Sequence, residues 1–365
     1  MSADSDQKRH HFAQKMSDIL NYGAINLAMG IGYRTGLFDI MDRCAGPASA
    51  QFIAQEANLS GRYVQEWLGV MVCAGIIDLV SEDKGQDLFS LPTEHGDLIT
   101  RRAGNANMGV YTQEIPLLTQ SALEGVVHGF QTGEGVGYDT YPTFQALMGQ
   151  PAQAKHRQTL VDTFLPSVDQ GEILQRLREG IRVCDIGCAR GVAVILMASA
   201  FPRSEFLGMD IDPQALTSAR EEAHGQGLHN ASFIQQDAAD PSFLSAWQES
   251  FDYITAFDAI HDQTRPAAAL RGVFSMLKPG GLFSMVDIAA SSRLADNTQH
   301  PMGPFLYTVS LMHCLPVGLV HGGAGLGMMW GRQKAVAMLS EAGFHTIQER
   351  EIPDDPFNLH FESRK

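Results

Sequence analysis

The chain has 365 residues, 44% of them hydrophobic, which is enough for two domains with cores of their own. Its formal net charge of −15 disfavours nucleic acid and anionic membranes as partners and suits a cationic small-molecule ligand. The polar first residues show no secretory signal, and the longest clean apolar run, residues 192–201, is too short to span a bilayer. We therefore expect a cytoplasmic protein without a membrane partner.

The cysteines predict neither a disulfide framework nor a metal site. There are five, an odd number, and they are scattered without a C-x-x-C pair. His313 and Cys314 are adjacent, but two residues are too few to ligate zinc. We predict reduced thiols and no bound metal.

The first hundred residues predict a winged helix. Helices over residues 49–57 and Gly61–Cys73 precede strands over residues 76–80 and Asp87–Ser90, with a polar turn at residues 82–86. The second helix has one apolar stripe at helical spacing, formed by Val64, Trp67, Leu68, Met71 and Val72. A transcription regulator is thus one alternative. It is disfavoured because residues 1–100 carry seven Lys and Arg against thirteen Asp and Glu, including Glu66 on the would-be recognition helix.

A glycine-rich bend marks the second domain. Residues 183–191 read V-C-D-I-G-C-A-R-G, an apolar strand followed by a turn that runs into an apolar helix. The dinucleotide pattern G-x-G-x-x-G fails here, because Ala189 and Val192 stand where its second and third glycines belong. The bend instead fits D-x-G-x-[GA]-x-G, in which Gly187 and Gly191 let the backbone approach a ligand.

Acidic residues occur at or near the ends of three consecutive predicted strands. Asp185 precedes the bend, Asp210 ends the strand at residues 205–209, and Asp237 follows the strand at residues 231–236. Ligands bind open α/β sheets at this edge, and a ribose-binding carboxylate belongs about 20 residues past the first glycine, which fits Asp210. Asp185 could alternatively cap backbone N–H groups of the turn.

This order of elements resembles the class I S-adenosylmethionine-dependent methyltransferases. Two further strands, at Phe251–Phe257 and at residues 282–288, and the L-K-P-G-G turn at residues 277–281 continue it. The resemblance implies a Rossmann-like α/β domain of seven strands that binds S-adenosyl-L-methionine. The cofactor residues that it implies are Asp185, Gly187, Cys188, Ala189, Gly191, Asp210, Ile211, Asp237, Ala238, Phe257 and Asp258. Cys188 also reads simply as a small filler.

The α-rich winged-helix region is similar to the N-terminal dimerisation domain of small-molecule O-methyltransferases of the plant, fungal and bacterial type. The resemblance implies a homodimer in which apolar positions of residues 21–38 form the subunit interface. The alternative is that they belong to a core within the domain. We predict a winged-helix dimerisation domain at 1–100, a helical linker and substrate lid at 101–175, and a methyltransferase domain at 176–365 with a lid insertion at 289–332.

His261 and Asp262 follow the fourth strand, in the H-D position that holds the catalytic histidine of the O-methyltransferases. Carried over, His261 would take the acceptor's proton; a structural histidine is the alternative. The family's orienting glutamate is missing, because Met329 stands in its place. We rank Asp287, at the end of the fifth strand, as a second candidate for binding the acceptor.

We therefore predict an enzyme that methylates a small, largely apolar molecule, at oxygen before nitrogen, carbon or sulfur. A protein of the same fold that binds the cofactor without methylating is the main alternative.

Overall fold

The computed structural model describes residues 3–81, 87–142, 149, 154–240, 245–353 and 355–365. These form two compact units, Met1–Leu117 and Leu118–Lys365. The predicted turn at residues 82–86 lies outside the described residues, and so does part of the predicted linker and lid at 101–175. The three-part division of the chain stays a prediction.

The first unit is mostly helical. Its α-helices are α1 Ala3–Thr35, α2 Leu37–Asp42, α3 Ala50–Ala57, α4 Gly61–Cys73 and α5 Thr93–Ile99. Its strands are β1 Ala48–Ser49, β2 Asp78–Ser81 and β3 Asp87–Ser90, and its 3₁₀ turns are Arg101–Ala106 and Gly109–Gln113. Helix α6, Glu114–Thr132, begins in this unit and ends in the second.

The predicted helix–helix–ribbon order of the winged helix is confirmed. The Ser49 side chain accepts a hydrogen bond from the Phe52 N–H and so caps α3. The predicted stripe of α4 is buried at Val64, Trp67, Leu68 and Met71. Strand β1, which the sequence analysis did not predict, pairs with β3 and makes the ribbon a three-stranded sheet.

Helix α1 and the start of α2 show which apolar residues of 21–38 are buried within the first unit. Ala28, Leu37 and Phe38 are buried in the core of the first unit, so they were wrongly included among the predicted interface positions. Other apolar side chains of α1 remain exposed in the single chain, namely Phe12, Met16, Ile19, Leu20, Tyr22, Leu27 and Ile31.

The second unit contains a seven-stranded sheet. Its strands are β4 Arg182–Ile186, β5 Glu205–Asp210, β6 Ala231–Gln235, β7 Phe251–Phe257, β8 Leu277–Ile288, β9 Thr346–Ile352 and β10 Asp355–Arg364. Their spatial order is β6-β5-β4-β7-β8-β10-β9. All neighbours are parallel except β10, which is antiparallel to β8 and β9. The predicted Rossmann-like class with seven strands is confirmed.

Helices precede the first strand of this sheet and connect the later ones. Among them are α7 Leu165–Ser167, α8 Glu172–Glu179, α9 Val192–Ala200, α10 Pro213–Gly225, α11 Pro266–Met276, α12 Gly303–Val309, α13 Leu315–Leu319 and α14 Arg332–Ala342. The 3₁₀ turns are Tyr138–Thr140, Val168–Gly171, Ser245–Trp247, Leu294–Asn297 and Val320–Gly322, and the π turns are Leu160–Phe164 and Ser310–Cys314. Six of the nine residues of α9 are buried, so this helix is a core element, as its apolar sequence requires.

One local prediction differs from the structure. The L-K-P-G-G segment, expected to be a turn, is the first part of β8, and Leu277 pairs with Phe251 before the register shifts. The insertion at 289–332 is helical over much of its length, and its role as a lid stays a prediction. Its stretch Gly303–Gly322 is long and apolar enough to cross a membrane, by length and composition only. This is weak evidence of a membrane span, because 56% of the 18-residue apolar window within it is buried inside the protein.

Two prolines lie within this helical stretch. Pro304 lies in the first turn of α12, where its missing N–H costs no hydrogen bond. Pro316 would interrupt a long α-helix, and the π turn Ser310–Cys314 comes immediately before the short helix that contains it.

Candidate active site

The glycine bend lies at the carboxyl end of β4. Gly187 and Gly191 have φ of 69° and 70°, and Ala189 is also left-handed at 46°. The N–H groups of Gly187 and Cys188 donate to the Met209 carbonyl at 2.8 and 3.0 Å, which ties the bend to β5. A Cβ atom on Gly187 would lie 2.5 Å from the Ala259 Cβ, so both conformation and space require glycine there.

Asp210 holds the bend and the following loop together. Its Oδ2 accepts the Ala189 N–H at 2.7 Å, and its Oδ1 accepts the Asp212 N–H at 2.9 Å. Burial raises the pKa of this carboxyl, and the backbone donors oppose that rise. Each carboxylate oxygen has two lone pairs, so both can accept a further hydrogen bond from a ligand.

Asp185 caps no N–H group of the turn, which was the alternative to a ligand role. It is buried, and its Oδ1 accepts the Thr255 hydroxyl at 2.6 Å. Burial raises its pKa to about 7. A nearby cation would favour its ionised form.

Asp237 lies in a turn after β6. Its Oδ1 accepts the Ala239 N–H at 2.7 Å, and its Oδ2 accepts from Arg265 at 2.6 Å. The adjacent Ala238 is buried, and Ile211 is 55% exposed after β5.

The other predicted cofactor residues have different surroundings. Cys188 is buried in an apolar cluster with Phe206 and Phe233, as its reading as a filler predicts. Phe257 ends β7 and packs edge-on against Phe164. Asp258 follows in a left-handed conformation with φ of 49°, and its Oδ1 accepts the Asn358 amide at 2.6 Å.

His261 is buried and pairs with Asp287. Its Nδ1 lies 2.8 Å from Asp287 Oδ1, which also accepts the Ile288 N–H at 2.8 Å. If Nδ1 carries the proton and donates it to the carboxylate, the lone pair of a neutral imidazole is on Nε2. That nitrogen is 3.5 Å from Asp262 Oδ1.

Asp287 was the second candidate for binding the acceptor. In the structure it contacts Nδ1 of His261, and Nε2 is the ring nitrogen left for an acceptor. Only 1% of its surface is exposed, and its Oδ1 contacts the His261 ring. Asp287 therefore supplies an orienting carboxylate, although Met329 occupies the family position of the orienting glutamate. The parallel pairing of β7 with β8 brings the residues that follow Phe257 next to those that follow Val286, so knowledge of this pairing would have predicted the His261–Asp287 contact.

The neighbouring acids set the charge state of His261. Burial opposes a charged imidazole, but the carboxylates of Asp287 and Asp262 raise its pKa well above the usual 6.5. His261 is therefore a stronger base than an isolated histidine, and more of it is protonated at neutral pH.

Aromatic side chains lie beside Asp262. The Tyr138 hydroxyl donates to Asp262 Oδ2 at 3.4 Å, and the Tyr141 hydroxyl donates to the Met312 carbonyl at 2.8 Å. Both rings pack edge-on against His313, with centroids 5.6 and 4.8 Å away. Trp330 is buried in the core of the second unit.

Two family models match the chain. Residues 177–313 match a methyltransferase domain, and residues 23–101 match an Rv2258c-like winged HTH domain. The first range contains the glycine bend, Asp210, Asp237, His261 and Asp287. The second contains the helix–helix–ribbon unit.

Curated relatives match only part of the chain. Demethylmenaquinone methyltransferase of Listeria welshimeri is 30% identical over 115 residues, which are 31% of this chain and 48% of that protein. Fatty-acid O-methyltransferase of Mycolicibacterium smegmatis is 29% identical over 109 residues, 30% of this chain and 38% of that protein. The chain thus spans about half the length, or less, of these relatives.

Solved structures match over the whole chain. Mitomycin 7-O-methyltransferase has a TM-score of 0.70 at 18% identity, covering 99% of this chain and 100% of that one. Human N-acetylserotonin methyltransferase, solved with S-adenosylmethionine, has a TM-score of 0.65 at 17% identity, covering 100% and 99%.

The second unit has a Rossmann-like sheet with the glycine bend at its carboxyl edge, and residues 177–313 within this unit match a methyltransferase domain. More particularly, the chain has the architecture in which a winged-helix domain precedes that domain, and the predicted resemblance is confirmed.

Proposed function

We propose that this protein is an S-adenosylmethionine-dependent methyltransferase that methylates a small, largely apolar molecule at oxygen, with His261 as the general base. The observation that carries the proposal is the buried His261–Asp287 pair at the sheet edge that also carries the glycine bend. The names of the similar proteins support methyl transfer as the reaction and oxygen as the acceptor atom.

The hydrogen-bonding groups and the free space at the bend fit the cofactor. Both oxygens of Asp210 are held by backbone N–H groups and keep lone pairs for ribose hydroxyls. A side chain on Gly187 or Gly191 would fill space that neighbouring atoms already occupy. Asp185 and Asp210 add negative charge, which suits a sulfonium. Asp237 and Ala238 would lie near the adenine, as the family resemblance implies.

His261 would accept the proton of the acceptor hydroxyl on Nε2 while Asp287 fixes the ring and stabilises the resulting imidazolium. When bound, S-adenosylmethionine supplies the electrophilic methyl group, so the acceptor oxygen needs only to be deprotonated and aligned. Asp262, 3.5 Å from Nε2, would stabilise the same positive charge.

Apolar surroundings support an apolar acceptor. A buried cluster of Ile288, Ala290, Leu306 and Met329 begins immediately after Asp287 in β8. Further methionine and aromatic side chains pack against it, namely Met302, Phe305, Tyr307 and Met328. Methionine adapts to ligands of irregular shape.

The test is incubation with S-adenosylmethionine and a panel of phenols, hydroxy acids and fatty acids. S-adenosylhomocysteine release would be measured together with a mass gain of one methyl group in the acceptor. We expect turnover with an apolar hydroxyl compound, and a fall of about 10² to 10⁴-fold in His261→Gln with cofactor affinity unchanged.

The matched control is His345→Gln, because His345 is exposed on the same domain. It should retain wild-type turnover. A His261→Gln variant that keeps more than about a tenth of wild-type turnover would refute the base. A deficit confined to cofactor binding would do the same.

A contact on the described part of the first unit disfavours the regulator alternative. On α4, Arg62 forms an ion pair with Glu66, which reduces its availability to a phosphate. A cytoplasmic homodimer remains a prediction for the intact protein.

A further inference from the structure

Three side chains with metal-binding atoms meet at the proposed base, and a fourth lies beside them. One potential ligand atom from each of His261, Asp262 and Cys314 lies within 4.8 Å of the others. His313 adds a ring nitrogen, because its Nδ1 is 3.6 Å from Cys314 Sγ and 4.0 Å from Asp262 Oδ2. The sequence alone offered only the adjacent His313 and Cys314, which are too few to bind zinc.

The fold brings two distant segments together here. His261 and Asp262 follow β7, whereas His313 and Cys314 end the π turn Ser310–Cys314. Turns of this type are rare and occur frequently at functional sites. His261, His313 and Cys314 are buried, so they are shielded from competing water ligands.

The chemistry of the four donors selects the metal. Two imidazoles, one thiolate and one carboxylate are the ligand types of Zn²⁺, whereas Mg²⁺ and Ca²⁺ prefer oxygen alone. Ligating histidines usually donate their other ring N–H to a carboxylate, which fixes the ring. His261 has that partner already, in Asp287 at 2.8 Å.

We propose that His261, Asp262, His313 and Cys314 form a tetrahedral Zn²⁺ site in this pocket. The Cys314 thiol and any protonated His261 give their protons to solvent as the bonds to zinc form. Bond lengths of about 2.0 to 2.3 Å place tetrahedral ligands about 3.5 Å apart, so the widest pair among His261, Asp262 and Cys314, at most 4.8 Å apart, closes by about 1 Å. Asp262 Oδ1 has no hydrogen-bond partner among the described residues, so its movement breaks no hydrogen bond.

Zinc and the acceptor then compete for one atom. The metal takes the Nε2 lone pair that the base uses, so Zn²⁺ inhibits methyl transfer in proportion to its occupancy. This consequence rests on the proposed function, whereas metal binding itself does not.

The test is a titration of the metal-stripped full-length protein with Co²⁺, followed by absorption spectroscopy. We expect one Co²⁺ per chain, a dissociation constant of about 10 μM or tighter, a thiolate-to-cobalt charge-transfer band, and displacement by Zn²⁺. Cys314→Ser should lose the band and bind at least about tenfold more weakly. Cys73→Ser, which changes an exposed cysteine of the first unit, should keep both.

Binding of S-adenosylhomocysteine checks the folding of each variant, and His313→Gln serves if Cys314→Ser does not fold. The site is overturned if the wild type shows no saturable band, if the folded Cys314→Ser variant keeps the full band, or if Cys73→Ser loses it. Binding without inhibition overturns the competition with the base. A metal-free protein that methylates nothing refutes the proposed function, while the Co²⁺ spectrum still decides the site.

Discussion

The Asp287 carboxylate determines how His261 titrates. Because the carboxylate raises the histidine pKa, and only neutral His261 can act as a base, kcat/KM should rise with pH in a limb above the usual 6.5. Asp287→Asn removes that charge, so the limb should move to lower pH. Turnover should also fall by about 10² to 10⁴-fold, since an amide can stabilise the wrong tautomer.

The measurement is the pH profile of kcat/KM for wild type, Asp287→Asn and Asp287→Glu. The glutamate variant keeps the charge and should keep the limb near its wild-type position. An Asp287→Asn limb at unchanged or higher pH would contradict the proposed role of the pair.

We expect Asp210 to contribute more to cofactor affinity than to turnover. Asp210→Asn replaces one acceptor oxygen with an NH₂ group that faces a backbone donor, the N–H of Ala189 or of Asp212. We expect it to weaken S-adenosylhomocysteine binding by about 1.5 to 3 kcal/mol, measured by calorimetry. Asp240→Asn, the same change in a side chain that accepts a hydrogen bond from the Gln236 amide, should bind normally. Equal dissociation constants for wild type and Asp210→Asn would refute the assignment of Asp210.

At the scale of elements, the bend can be tested with two glycines of equal conformation. Gly191 and Gly227 have φ of 70° and 69°, but a Cβ atom would lie 2.4 Å from Phe233 at Gly191 and has open space at Gly227. Gly227→Ala should therefore cost about 1 kcal/mol from backbone strain alone. Gly191→Ala adds overpacking and should cost about 1 to 3 kcal/mol more.

Thermal or urea unfolding of the two variants measures the difference, and cofactor titration shows whether the bend has moved. Equal loss of stability in both variants would mean that Phe233 yields without cost and that packing does not fix the bend.

The elements were predictable where the signal is local. The stripe of α4 and the strand Phe251–Phe257 follow from residues that are neighbours in sequence. Pairings across the sheet were not, because the His261–Asp287 contact depends on the register of β7 against β8. The secondary structure of the insertion was left open by its sequence, which mixes prolines and glycines with apolar residues. Pro304 stands in the first turn of a helix, where proline is tolerated.

At the scale of the whole molecule, α1 carries the prediction of assembly. Its exposed Phe12, Met16, Leu20, Leu27 and Ile31 recur at roughly helical spacing. A row of this kind on an isolated chain indicates a partner surface. We expect a homodimer at micromolar concentration by light scattering, and a shift to monomer in Leu20→Asp/Leu27→Asp.

Tyr63→Asp is the matched control, since Tyr63 is 81% exposed on α4 and does not belong to this row. It should remain dimeric. A wild type that is monomeric at micromolar concentration would refute the predicted homodimer. The exposed apolar row of α1 would then need another explanation.

The π turn Ser310–Cys314 makes the chemistry of the pocket sensitive to chain length. A π turn is an α-helix with one residue too many, so deletion of one residue within it could restore regular α-helix without disturbing either flank. The residues of the turn itself would change position, each by about 100° around the helix axis per residue of shift. A homologous chain shorter by one residue here could therefore keep the whole fold and still lose His313 and Cys314 from the pocket. Loss or gain of a single codon would then separate chains that share this architecture but differ in what they bind.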